Sequence, residues 1–148
     1  MARRTPDREY IPPVQTLQVR YAKRGRMRFA SHRDFQRAWE RALRRVGVPM
    51  AYSAGFSPHP KVSYAGAAPT GAASEAEFLE FSVVQPIDPG AVRQALDAAL
   101  PEGLDIVAVV EATAPLVDQL RASRWRMEWP FDVTEAIAAF AAADSVEV

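Results

Sequence analysis

Cysteine is absent from all 148 residues. Its absence removes disulfides, thiolate nucleophiles, zinc–thiolate sites and the ligands of an iron–sulfur cluster. Histidine occurs twice, as His32 and His59, without H-x-x-x-H spacing, so no metal site is expected. No stretch approaches 18 consecutive apolar residues, and the opening MARRTPDREYIPP has charge but no apolar core. Neither a membrane span nor a secretory leader is expected, and the expected location is the cytoplasm. Gly-x-Gly-x-x-Gly and Walker A patterns are also missing: GAAPTGAAS lacks the Lys-Ser/Thr that a nucleotide-phosphate loop needs.

What remains is an ordinary globular composition, 49% hydrophobic and 24% charged. The formal net charge is zero, but the charges are divided. Residues 1–61 hold 14 Lys/Arg and 4 Asp/Glu, net +10, whereas residues 62–148 hold 4 and 14, net −10. Such a division signals either a polyanion-binding half or two halves that attract one another.

Residues 1–13 read as a flexible basic tail ending in Pro12-Pro13. TLQVRYA alternates as a half-buried strand, with Leu17, Val19 and Tyr21 on one face. Lys23-Arg24-Gly25-Arg26 then suggests a hairpin turn, with Met27-Arg28-Phe29 resuming the alternation. Ser31 and Asp34 form a capping-box variant. Phe35, Ala38, Trp39, Ala42, Leu43 and Val46 follow helical spacing, and Gly47 stands where a left-handed C-terminal cap belongs.

KVSYAG and EFLEFSVV read as strands, Asp88-Pro89 opens a second helix closed by Gly103, and LDIVAVVEA is a fourth strand. The order strand, helix, strand, strand, helix, strand predicts an α+β, ferredoxin-like (split βαβ) domain over residues 14–112, an antiparallel sheet with helices on one face. Residues 113–148 read as a partial second βαβ unit: a helical connector over 115–122, RWRMEW as a strand, DVTEAIAAFAAA as a helix capped by Asp132, and SVEV as the start of another strand. The Trp125, Met127, Trp129 stripe belongs to a core or an interface.

Two features carry candidate chemistry. Arg33, Arg37, Arg41 and Arg44 share a solvated flank of the first helix, with Arg45 nearby and Glu40 as the single acid. Lys23, Arg24, Arg26 and Arg28 adjoin them, so several cations face a phosphate chain, or else a solvated face contacts the acidic half. The second feature is GFSPHP. Pro58 and Pro60 remove two donors and hold Ser57 and His59 extended. Phe56 is placed to stack on a base, while His59 and Lys61 are placed to meet an anion; the competing arrangement is a rigid turn with Phe56 in the core and His59 bonded to a carbonyl. Ser31 and His32, in the first turn of the helix, are further anion-binding candidates.

The hairpin KRGRMRFASH, the helix end RALRRVGVPMAYS, the GFSPHP loop and APTGAASEAEFLEF resemble the radical-SAM-linked protein family, a bacterial family of unknown function. The likeness is good over about residues 16–112 and looser beyond. It implies a radical SAM enzyme as a separate partner chain, since the Cys-x-x-x-Cys-x-x-Cys motif is absent here, and a role near RNA or another phosphorylated substrate. It brings no catalytic residue and no cofactor for this chain, and it adds weight to Ser31, His32, Gly55, Phe56, Pro58, His59 and Pro60. Members look longer, so the stop after SVEV reads as a truncation.

The expectation is therefore a non-catalytic accessory module that binds RNA or a phosphorylated substrate beside a radical SAM enzyme. The alternatives are an adaptor whose basic face docks an acidic protein, and an endoribonuclease using His32 or His59.

Overall fold

A computed structural model describes residues 9–144. The alternating QTLQVRYAK is β1 (Gln15–Lys23), and it lies inside the sheet rather than at its rim. On one side it pairs antiparallel with β3 (Ser74–Val83), Val19 opposite Leu79; on the other it pairs antiparallel with β4 (Leu104–Glu111), Val19 opposite Val109. The short β2 (Val62–Ala65) edges β3, and the order is β2-β3-β1-β4.

Helix α1 (His32–Val46) connects β1 to β2, and α2 (Pro89–Ala99) connects β3 to β4. Each crossover skips one strand, so every neighbouring pair is antiparallel. This is the ferredoxin-like α+β arrangement that the sequence predicts.

Leu17, Val19 and Tyr21 from β1 meet Leu79, Phe81 and Val83 from β3, and α1 and α2 cover them. Phe35 stacks on Tyr21 with ring centroids 4.3 Å apart, and Trp39 meets the Phe81 ring at 5.9 Å. Both caps of α1 and the start of α2 fall as the sequence indicates, but Gly103 does not close α2, which ends at Ala99 with Leu100 as its cap; Gly103 sits instead in the turn before β4. Ser31 caps α1, Gly47 ends it at φ +75°, and Asp88 Oδ2 accepts from the Ala91 N–H to start α2.

The opposite face of the sheet is polar. Gln18 and Glu80 face each other across β1 and β3, and they hold the turn that leads into α3 (Leu116–Gln119). The Gln18 amide donates to the Ala114 carbonyl at 2.7 Å, and Glu80 Oε2 accepts from the Leu116 N–H at 3.3 Å.

Three expectations need correcting. Met27-Arg28-Phe29 does not continue as a hairpin strand; Gly25–Phe29 is a 3-10 helix. Both edges of β1 are already taken by β3 and β4, so a second arm has no place to pair. RWRMEW is not a strand either, because no described sheet edge pairs with it. Its Trp125, Met127 and Trp129 are exposed rather than in the core. Of the expected partial βαβ unit, the helical connector appears as the shorter α3, and the helix appears as α4 (Thr134–Ala142), preceded by Asp132, whose carboxylate accepts from the Thr134 N–H. SVEV and residues 1–8 of the expected tail lie outside the described residues.

The 3-10 helix is pinned by the turn before β4: the Arg24 N–H donates to the Gly103 carbonyl at 2.8 Å. Gly103 has φ +92°, and a Cβ there would stand 2.6 Å from the Arg24 carbonyl oxygen and 3.0 Å from Met27 Cγ. Gly103→Ala is therefore expected to lose about 1–3 kcal/mol, read as a lower urea midpoint at constant slope.

Candidate functional site

On the helical wheel the buried residues Phe35, Ala38, Trp39, Ala42 and Leu43 mark the inner face of α1. Arg33, Arg37, Arg41 and Arg44 lie opposite, within an arc of about 80° and over about 16 Å of helix length. All four are exposed, as are Arg26 and Arg28 on the 3-10 helix. None of the six pairs with a described carboxylate. Arg28 instead lies over the exposed Phe29 ring, 4.6 Å from its centroid, a contact sequence reading missed.

Two of the expected cations stand apart from this ridge. Lys23 is only 6% exposed, because it continues the inward face of β1 after Tyr21. Arg24 is exposed but bound to the acidic half, reaching Glu75 at 3.0 Å and Asp105 at 3.2 Å. Among the described residues Arg24 alone forms ion pairs between the halves, and in such exposed pairs the attraction is worth about 0–1 kcal/mol.

Ser31 and His32 are also occupied. The Ser31 hydroxyl donates to Asp34 Oδ2 at 2.7 Å and accepts from the Asp34 N–H at 3.1 Å, and the Ser31 N–H donates to Asp34 Oδ2 at 3.3 Å, closing the capping box. Hydrogen bonds from the Ser31 hydroxyl and backbone hold the Asp34 carboxyl below its usual range, helped by Arg37 and Arg33. A depressed folded-state value means stability present near neutral pH and lost as acid protonates the group. Asp34→Ala is expected to melt below wild type near neutral pH, the gap closing in strong acid; a pH series of thermal melts reads it.

His32 Nε2 accepts from the Gln36 side-chain amide at 2.9 Å, so Nδ1 carries the proton of the neutral ring. The ring also meets Tyr64 edge-on at 5.2 Å. Burial, with Glu40 nearby, raises the Tyr64 hydroxyl well above its ordinary value, so it stays protonated. His32 thus belongs to the aromatic seam between α1 and β2.

GFSPHP forms the tip of a two-stranded loop. Met50 bridges Val83, the residue opposite Gln15, so the loop leaves at the end of the sheet where α1 finishes. Tyr52 bridges Pro60, the Ser53 N–H donates to the His59 carbonyl at 2.9 Å, and the Lys61 N–H donates to the Ala51 carbonyl at 2.8 Å. Ser53 Oγ accepts from the His59 N–H at 3.1 Å and lies 2.9 Å from Nδ1. Nδ1 also stands 3.4 Å from the Ser57 carbonyl oxygen, so the loop's own polar atoms hold the ring through that nitrogen. Phe56 is 87% exposed, not in the core, and Lys61 is half-buried.

Ser53, the residue that aims His59, was not among the predicted positions; its only sequence signal is a hydroxyl six residues before the histidine. The two histidines are separated. His59 stands before the start of β2 and His32 packs against Tyr64 near its end, a gap of about 16 Å along extended chain. They do not share one reaction centre. Among the described residues no group of three or more Asp, Glu or His side chains is placed to hold a metal ion, and no helix is long and apolar enough to cross a membrane.

A family model described as an uncharacterized protein conserved in bacteria, DUF2344, matches residues 16–148. The chain belongs to that family. The match takes in the sheet, the arginine ridge, the GFSPHP loop and α4. No curated protein matches the chain.

Proposed function

We propose that this DUF2344 chain is a non-catalytic RNA-binding module that presents its RNA to a radical SAM enzyme carried on a separate chain in the cytoplasm. The observation that carries the RNA-binding part is the ridge of Arg33, Arg37, Arg41 and Arg44, exposed along one flank of α1 and free of ion pairs with described carboxylates. A line of unpaired guanidinium groups releases the counterions of a phosphate chain on contact, and the backbone supplies that chain without demanding a sequence. Arg26 and Arg28 add two exposed cations on the 3-10 helix that precedes α1.

The enzymatic partner is supported by the resemblance in KRGRMRFASH and GFSPHP. Retention on an RNA column tests the binding role. The Arg37→Ala/Arg41→Ala protein is expected to elute at lower salt than wild type with an unchanged circular dichroism spectrum; equal retention would count against the proposal.

An adaptor that docks an acidic protein uses the same arginines. It predicts recovery of the enzyme in a pull-down at moderate salt together with negligible RNA affinity.

A further inference from the structure

We propose that Phe56 is a base-stacking finger, so that this surface takes RNA with unpaired bases in preference to duplex. The proposal rests on the reading of the arginine ridge as an RNA grip and adds the kind of RNA it grips.

Among the described residues Phe56 is the most exposed large apolar side chain, at 87%. Leaving such a ring in water forgoes roughly 1.5–3 kcal/mol of burial. The ring also sits on a stiff support. Pro58 and Pro60 fix two φ angles, Tyr52 bridges Pro60, and Ser53 and His59 are joined through backbone and side chain. The loop backbone that carries the ring is already ordered, so only the side chain's own rotamer freedom is lost when a flat partner settles on it.

Cations stand at the root of its loop. The loop leaves the sheet at the end where α1 finishes, the end that carries the exposed Arg44 and Arg45, and Lys61 closes the loop. An exposed aromatic ring on the same domain as a line of cations is the combination that single-strand binders use: cations follow the backbone and rings stack on bases. Duplex RNA hides its base faces in its own stack and offers phosphates and 2′-hydroxyls, so Phe56 has nothing to stack on there. Phe29, exposed under the Arg28 guanidinium beyond the other end of the ridge, repeats the combination of ring and cation.

The test compares the full chain with its Phe56→Ala, Phe56→Trp and Arg37→Ala/Arg41→Ala variants by fluorescence anisotropy. The probes are a labelled twelve-nucleotide oligouridine and a twelve-base-pair RNA duplex at one ionic strength. Phe56→Ala is expected to weaken the single strand roughly five- to hundredfold, the worth of one stacked base, and to leave the duplex unchanged. Phe56→Trp is expected to restore the single-strand affinity.

Equal losses on both probes, or no loss on oligouridine while the arginine variant still weakens it, would overturn the finger and leave the ridge standing. Unchanged oligouridine binding by the arginine variant would overturn the ridge as the grip, and this proposal with it. Phe56 packs into no core, so matching thermal melts for the wild type and both Phe56 variants are expected.

Discussion

Trp39→Ala is expected to destabilise the protein by about 3–5 kcal/mol, the range for emptying a fully buried aromatic site. Trp39 has no solvent exposure and lies between the Phe35 ring, at 6.4 Å, and the Phe81 ring, at 5.9 Å. Removing the indole opens a hole where α1 meets the sheet. Much of the stability of a domain this size is then at stake, since native proteins keep only about 5–15 kcal/mol.

Trp39→Phe separates packing from polarity. The indole Nε1–H is buried and has no hydrogen-bond partner among the described residues, and an orphaned buried donor costs about 1–3 kcal/mol. Phenylalanine loses volume but sheds that donor, so its net loss is expected to stay below about 1.5 kcal/mol. Denaturant titrations of the two variants read the difference. Equal losses would mean that the indole N–H has a bonded partner, such as a buried water.

The second large effect is on binding. Each phosphate contact with a single strand contributes about 0.7 to the log–log salt slope, so removing two contacts at about 50 mM salt is expected to weaken binding roughly 60-fold. Arg37→Ala/Arg41→Ala should give this loss without lowering the melting temperature by more than a degree or two, because both side chains are exposed and neither pairs with a described carboxylate. Anisotropy with a labelled RNA single strand, beside a thermal melt, checks both halves of the statement.

The sheet and its two crossover helices were legible because local signals and tertiary packing agree there. The spacing from Phe35 to Val46 fixes the inner face of α1, Ser31 and Gly47 mark its ends, and the alternation in β1 and β3 has a core to face. Alternation failed where it depends on a neighbour. Met27-Arg28-Phe29 and RWRMEW both carry period two, but a strand also needs a partner: both edges of β1 are taken, and RWRMEW pairs with neither outer edge of the sheet, which is a property of the whole fold.

The candidate site divides the same way. The arginine ridge follows from helical geometry alone, whereas the burial of Lys23 depends on where β1 ends, and the pairing of Arg24 depends on Glu75 and Asp105, 51 and 81 residues away in sequence. The prolines announced a stiff loop. That Ser53 would brace it, and that Phe56 would stand outside rather than plug the core, depended on the bridge between Tyr52 and Pro60.

The most direct measurement is the salt dependence of single-stranded RNA affinity for the unmodified chain. Six cations, Arg26, Arg28, Arg33, Arg37, Arg41 and Arg44, predict a log–log slope of about −4. A slope near zero, or no binding even at low salt, would contradict the claim that these arginines grip a phosphate backbone.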